Sequence, residues 1–331
     1  MSLFFKDLKI FILYFLFNET YDRVFFIEKK NYLKDFNIFL KNQNLNNKKI
    51  IIISFEDLDQ IILFNINVKV IKHKFIQSLI FQTLNSKHIY ASTPDLDYSI
   101  FVRNKKKSSK YFYIQHSPVG LLNAYKDHAF INFDLIFCNN VFQKKDLIKI
   151  NNFFGKKIKS WKQKILIEKI NIKNNIKKKI LIAPTWSTNF YDEQIIQHLN
   201  KLNNNFDVTF RPHFMSLKNN KFLENSLNKN FNLDQSTQFN LLDYDLLISD
   251  WSGIYLEYLI HLRKKPILIN TNEKIRNKTI KTELSIEKKL RKEFSYQLNL
   301  TELNKIEQTV LLATEDKNIV SLNSLRNIFY I

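Results

Sequence analysis

The chain has 331 residues, of which 45% are hydrophobic, so it is long enough for two domains with sizeable cores and is not a disordered tail protein. Its formal net charge of +20 suits anionic partners, either nucleic acid, acidic phospholipid or a phosphate-rich substrate, although short runs such as Lys105-Lys106-Lys107 and Lys177-Lys178-Lys179 read as solvated faces. One cysteine, Cys138, excludes an intrachain disulfide framework and a Cys-rich zinc site, and three glycines (Gly120, Gly155 and Gly253) cannot write a P-loop or a GxGxxG fingerprint.

Ile10 to Phe17 is apolar on every side but too short to span a bilayer, and no small-residue cleavage site follows. It reads as a buried helix, with an interfacial anchor as the other reading. Lys48 to Phe55 has a buried-strand pattern. His88 to Ala91 is a second strand. Tyr111 to Gln115 is a third and runs into His116-Ser117-Pro118-Val119-Gly120, a turn with its histidine at the strand's carboxyl end. Asp134 to Cys138 is a strand and Gln143 to Ile150 a helix. Lys156 to Lys179 is a basic connection, with Ile165 to Ile167 as a short strand inside it. It divides an N-terminal α/β domain, 1–172, from a C-terminal one, 173–331.

The second unit starts with the strand Ile180-Leu181-Ile182-Ala183, closed by Pro184-Thr185-Trp186-Ser187. Gln194 to Leu202 is a helix. Asp207 to Phe210 is a strand ending in Arg211-Pro212-His213. Asp243 to Asn270 then reads as strand, turn, helix, strand. The apolar run Leu246-Leu247-Ile248 is broken by Ser249-Asp250-Trp251-Ser252-Gly253. Ile254 to Leu262 is helical, Arg263-Lys264-Lys265 suits the helix's negative end, Pro266 stops it, and Ile267-Leu268-Ile269 is the next strand. Glu287 to Phe294 and a last helical region complete the chain. Such alternation predicts two facing doubly wound parallel-sheet α/β domains with a cleft between them.

In such a fold the carboxyl strand ends converge on the cleft. Four of them carry polar chemistry: His116, Thr185, Arg211 with His213, and Asp250 to Gly253. Two histidines, an arginine, hydroxyls and a helix amino terminus suit a diphosphate. A histidine can also take a proton from an attacking hydroxyl near neutral pH. His73, His88, His128, His198 and His261 have no motif around them and read as structural or solvated. Trp186 and Trp251 read as packing residues beside the cleft.

Ile182-Ala183-Pro184-Thr185-Trp186, Phe210-Arg211-Pro212-His213 and Leu247-Ile248-Ser249-Asp250-Trp251-Ser252-Gly253, with Pro266 after the helix, resemble the CDP-glycerol glycerophosphotransferase family of teichoic-acid primases and polymerases. The match runs in order over Lys179 to Asn270 and extends more weakly to Tyr111 through Asn140. There Gln115-His116-Ser117-Pro118 stands where the family has a histidine-glycine-threonine-proline turn. The sequence departs from the family at Ser117, at the missing lysine after Pro118, at Trp251 and at Gly253.

The resemblance implies a GT-B fold and transfer of glycerol phosphate, or a related polyol phosphate, from a CDP-linked donor to an acceptor hydroxyl, with release of CMP. It implies His116 as general base, with Arg211 and His213 stabilising phosphate charge. Ser252 and the N–H groups around Gly253 would hold the diphosphate, and Thr185 would touch donor phosphate. Asp250 would cap the helix or orient the donor, and Glu257, a turn further on, would meet a ribose hydroxyl. No cofactor and no metal are implied. The acceptor is lipid-linked or a saccharide, and the setting is cytoplasmic, peripheral on the inner face of an anionic membrane. The rival readings are a GT-B glycosyltransferase using a nucleotide sugar, a related sugar-nucleotide epimerase, and a catalytically inactive binding subunit. Nucleic acid ranks below these, because the aromatics sit in apolar runs rather than among the basic ones.

Overall fold

The computed structural model describes residues 3–16, 20–29, 32–33, 36, 39–40, 49–58, 66–99, 101–167, 177–186, 189–220, 222–236, 239–281 and 284–331. Two parallel sheets organise them. The first has the order β3-β2-β1-β4-β5-β6-β7 and the second the order β10-β9-β8-β11-β12-β13. The first sheet is built from β1 (Tyr21–Ile27), β2 (Ile50–Ser54), β3 (Asn67–Val70), β4 (Ser86–Ala91), β5 (Lys110–Ile114), β6 (Leu135–Cys138) and β7 (Lys159–Lys162). The second is built from β8 (Lys179–Ile182), β9 (Asp207–Phe210), β10 (Asn232–Leu233), β11 (Leu246–Ser249), β12 (Ile267–Ile269) and β13 (Tyr296–Leu298). This is the two-domain GT-B architecture.

The inner strands are short, apolar and covered on both faces, which is why they read as continuous hydrophobic runs. Val24, Phe25, Phe26 and Ile27 of β1 are all inaccessible to solvent, as are Ile51, Ile52 and Ile53 of β2. Each such side chain contributes about 1.5–3 kcal/mol of burial. The helices that matter below are α1 (Leu3–Phe11), α2 (Lys74–Thr83), α3 (Leu121–Ala124) and α4 (Val141–Phe154) in the first half. In the second half they are α5 (Glu193–Asn200), α6 (Phe214–Asn219), α7 (Leu223–Asn228), α8 (Ile254–Leu262), α9 (Ile286–Phe294), α10 (Ile306–Glu315) and α11 (Leu322–Arg326).

Two sequence expectations meet corrections, and one strand was not expected at all. The strand expected at Ile165 to Ile167 is absent, and the connection's strand is β7, whose polar Lys159, Ser160 and Lys162 hide it from an apolar pattern. β7 is an edge strand, where lysines discourage further pairing. Ile165 instead donates its N–H to the Tyr330 carbonyl at 2.8 Å. The central strand β1 was not anticipated: a short apolar run cannot be told from buried helix by period alone. Ile10 to Leu16 belongs to a longer helical segment from Leu3 that passes into π-helix over Ile12–Leu16 and leaves Leu13 and Leu16 exposed, and Phe17 lies outside the described residues. The boundary between 172 and 173 lies outside the described residues.

The domains share a core. Tyr113, Val119, Leu121 and Leu122 of the first belong to one continuous apolar cluster with Leu247, Tyr255, Leu256, Ile286 and Leu290 of the second. The chain's last segment also returns to the first sheet. Val141 donates to the Ile328 carbonyl at 2.9 Å, Tyr330 donates to that of Asn139 at 3.0 Å, and Leu325 and Phe329 are buried in the shared cluster.

Candidate active site

The turn after β5 is braced before it begins. Gln163 makes a two-way bond to the Gln115 backbone, its Oε1 accepting the N–H at 3.1 Å and its Nε2 donating to the carbonyl at 2.9 Å. Asn140 and Gln143, at the start of α4, donate to the carbonyls of Pro118 and Val119, both at 2.8 Å. His116 rides on this frame, half-buried. Its ring stacks on Tyr32 with centroids 4.3 Å apart, and its Nδ1 lies 3.3 Å from the Tyr113 hydroxyl. That hydroxyl donates in turn to Tyr125 at 3.3 Å. Burial holds the Tyr113 phenol well above its ordinary value, so it stays neutral. A Tyr113 proton directed at Tyr125 leaves the phenol oxygen to accept from Nδ1–H, the tautomer in which Nε2 is the basic atom of the ring.

The turn after β11 comes directly against this one. A Cβ on Gly253 would lie 2.7 Å from Val119 Cγ1 and 3.0 Å from Ser117 Oγ. The backbone there is ordinary right-handed, φ −60°, so glycine is required by the close approach of the two domains. Gly253 is the N-cap of α8, with no side-chain cap. Asp250 therefore caps no helix. It is fully buried, its Oδ1 accepts the Thr185 N–H at 2.8 Å, and its Oδ2 accepts the Thr271 hydroxyl at 3.2 Å. It ties the ends of β8, β11 and β12 together. Arg291 of α9 completes the brace. It donates to the Asp250 carbonyl at 2.6 Å and to Asn270 Oδ1 at 2.7 Å, with its guanidinium over the Trp251 ring at 4.1 Å. Ser252, before Gly253 in the same turn, is half-buried, and Glu257 is half-buried one turn along α8.

Arg211 and His213 are two residues apart and face different tasks. Arg211 pairs with Asp234 at 3.2 Å, donates to the Ser236 carbonyl from both terminal nitrogens at 3.1 Å, and lies over Phe239 at 4.2 Å. It braces the end of β9 against the loop after β10. His213 is the N-cap of α6, and its Nδ1 accepts the Met215 N–H at 3.1 Å, so Nε2 carries the proton. Burial lowers its pKa to about 4, helped by the charges of Lys274 and Lys29. The imidazole is thus a neutral N–H donor at any physiological pH.

A lysine that the sequence did not single out completes this group. Lys274, on the loop after β12, lies over the Trp186 ring at 3.9 Å and reaches Thr185 Oγ1 at 3.4 Å. Burial, with Arg276 beside it, lowers its pKa to about 7, partly opposed by Asp250. The Trp186 ring is 6.3 Å from that of His213. From the first domain, Lys29 lies over Phe214, the residue after His213, at 4.1 Å. The structure thus brings His213, Thr185, Trp186 and Lys274 together, places Gly253 against the His116 turn, and holds Arg211 to one side. The only sequence signal for Lys274 was position, a basic residue just past a strand's carboxyl end; it was one lysine among many.

Residues 154–280 match the family described as CDP-Glycerol:Poly(glycerophosphate) glycerophosphotransferase, a family of transferases. His116 lies outside the matched stretch. No curated protein matches the sequence significantly. Among solved structures, Methanocaldococcus jannaschii UDP-GlcNAc 2-epimerase in complex with UDP-GlcNAc and UDP is similar with a TM-score of 0.53 and 11% identity, over 93% of this chain and 98% of that one. Anabaena HepE in complex with UDP and glucose gives a TM-score of 0.49 and 11% identity, over 89% and 90%. A variant of the wall teichoic acid polymerase TagF soaked with CDPG gives 0.48 and 14%, over 80% and 73%.

Proposed function

We propose that the chain, whose residues 154–280 match a glycerophosphotransferase family, transfers glycerol phosphate or a related polyol phosphate from a CDP-linked donor to an acceptor hydroxyl during synthesis of a cell-surface polymer. The observation that carries this reading is the meeting of the His116 turn with the Gly253 turn, beside a group of phosphate-compatible donors on the second domain. His116 Nε2 takes the proton of the attacking hydroxyl. The hydroxyl oxygen bonds to the donor phosphorus distal to cytidine, the bond from that phosphorus to the bridging oxygen breaks, and its electron pair leaves on CMP. The neutral His213 N–H, the Lys274 ammonium, the Thr185 hydroxyl and Ser252 stabilise charge on the diphosphate oxygens, which is the main demand of phosphoryl transfer. Arg211 holds the β9 end that carries His213. Glu257 is the candidate for a ribose hydroxyl.

Incubation with a panel of CDP- and UDP-linked donors tests the reading, with the released nucleotide identified. CMP release from a CDP-polyol supports it. Release of a nucleoside diphosphate from a sugar donor instead assigns the same site to glycosyl transfer, and isomerised donor without acceptor assigns it to epimerisation.

Peripheral attachment to an anionic membrane is part of the same proposal. α1 exposes Leu3 and Phe5 beside Lys6 and Lys9, and Phe75 and Lys74 at the start of α2 are exposed too. Asp7 pins α1 to the fold by accepting the N–H groups of Lys72 and His73 at 2.8 and 2.7 Å. No helix among the described residues is long and apolar enough to cross a membrane. Co-sedimentation with anionic vesicles at low salt, weakened by salt and by Phe5→Ala, is the expected result. An absence of binding even at low salt counts against attachment and leaves the transfer reading intact.

A further inference from the structure

The His116 turn ends at Gly120, and there two carboxylates from different elements close on the same backbone. Glu287 of α9 accepts the Gly120 N–H on Oε1 at 2.7 Å and the Asn123 side-chain amide on Oε2 at 3.5 Å. Asp146 of α4 accepts the N–H groups of Leu121 and Leu122 on Oδ2 at 2.9 and 3.4 Å. A Cβ on Gly120 would lie 3.1 Å from Glu287 Oε2 and 3.4 Å from Asp146 Oδ2, so the two carboxylates converge on one point. They are 4% and 5% exposed, and neither has an ion-pair partner among the described residues. Glu287 comes from the second domain, and the turn it holds belongs to the first. One helical turn along α9, Arg291 holds the Asp250 turn.

We propose that Glu287 and Asp146 are positioning residues that hold the His116 turn against the second domain while one of their two carboxyl groups keeps its proton. Two unpaired carboxylates this close in a dry site cannot both ionise without strong repulsion. With one proton on the pair, a single negative charge rests on two carboxyl groups that together accept three backbone N–H groups, and the turn is locked. With none, the two groups repel across the domain boundary and the lock loosens. Burial, with Glu287 nearby, pushes the Asp146 carboxyl up to about 7, and burial raises that of Glu287 as well. The other groups in the field are few. Lys149 on α4 favours the ionised Asp146, while Glu273, itself paired with Lys288 at 2.9 Å, opposes ionisation of Glu287. The Ser285 hydroxyl also bonds Glu287, and the buried Cys138 and Tyr255, each held neutral, feel the two carboxylates. The unlocking therefore belongs to this pair, near neutral pH. It acts on His116 through the backbone, and the assignment of His116 as base rests on the function proposed above.

Amide hydrogen exchange over residues 116–125 of the whole protein, corrected for intrinsic rate at each pH, reads the lock without any substrate. Wild type is expected to lose protection in this segment as pH rises through about 7. Glu287→Gln keeps an acceptor for Gly120 and removes one charge, so its protection is expected to stay level to alkaline pH, and Asp146→Asn to behave alike. Glu287→Ala is expected to lose protection at every pH; if it does not fold, the two amide variants still decide the matter. Turnover, once the donor is known, should fall above neutrality in wild type and hold in Glu287→Gln, with KM for donor unchanged. Wild-type protection that ignores pH, or a Glu287→Gln curve that follows wild type, overturns the proposal. A wrong donor leaves the exchange result intact and sinks only the functional reading.

Discussion

The turn after β5 and the turn after β11 are both strand ends that pass into a helix, and they touch, yet they place their ionisable residues in opposite ways. His116 is half-buried, its ring stacked on Tyr32 and its Nδ1 beside the Tyr113 phenol. Asp250 is fully buried, and each carboxylate oxygen accepts a bond from inside its own domain. The same contrast recurs between His213 and Arg211, where the arginine is the more heavily bonded of the two. A polar residue at the end of a parallel strand is thus either a group offered to a ligand or a brace, and its count of internal partners separates the two. A brace leaves buried groups unsatisfied when it is lost and so costs stability, whereas an offered group costs activity.

Four substitutions break or sharpen that contrast. His116→Ala is expected to lower turnover by roughly 10²–10⁴-fold, with little change in thermal midpoint, as for a lost general base. Nucleotide release kinetics and calorimetry check it, and retention of full turnover would move His116 to the bracing class. Asp250→Ala leaves the buried Thr185 N–H and Thr271 hydroxyl unpaired. It is expected to cost about 2–5 kcal/mol in urea unfolding; a loss confined to activity would reverse its assignment. Lys274→Ala is expected to weaken competition by inorganic pyrophosphate about 10–100-fold, as for a lost charge-assisted contact worth ~1.5–3 kcal/mol. In wild type that binding should weaken as pH rises through about 7, because the Lys274 ammonium is then lost. Lys274→Arg should remove this dependence. Gly253→Ala is expected to cost about 1–3 kcal/mol by overpacking against Val119. Val119→Ala in the same chain should recover most of it, and a null effect would mean that the turns do not meet in solution.

Much of the second domain was legible because its strands are short apolar runs punctuated by chemistry. Asp207 to Phe210, Ile254 to Leu262 and Ile267 to Ile269 fall where the sequence placed them. The helix ends at Leu262, as read from the sequence, with Arg263 in the left-handed region at φ 54° ahead of Pro266. In the first domain β1 and β7 escaped, one because its apolar run has no distinguishing period, the other because an edge strand needs no apolar face. Lys274 and Glu287 escaped for a different reason. Neither sits in a motif, and each acquires its role from a neighbour distant in sequence, Thr185 in one case and Gly120 in the other.

By itself the sequence determined the two alternating α/β runs, the polar strand ends and the likeness to a diphosphate-handling family, because burial of short apolar strands and turn chemistry are local properties of the chain. Which of those polar residues are tied into the fold as braces was decided by the tertiary structure. So was the meeting of Gly253 with Val119, and so were the lowered pKa of Lys274 and the raised one of Asp146. The physical reason is common to all of them. Desolvation, charge–charge interaction and close packing depend on groups brought together across the sheets and the domain boundary, at separations in sequence that no local pattern records.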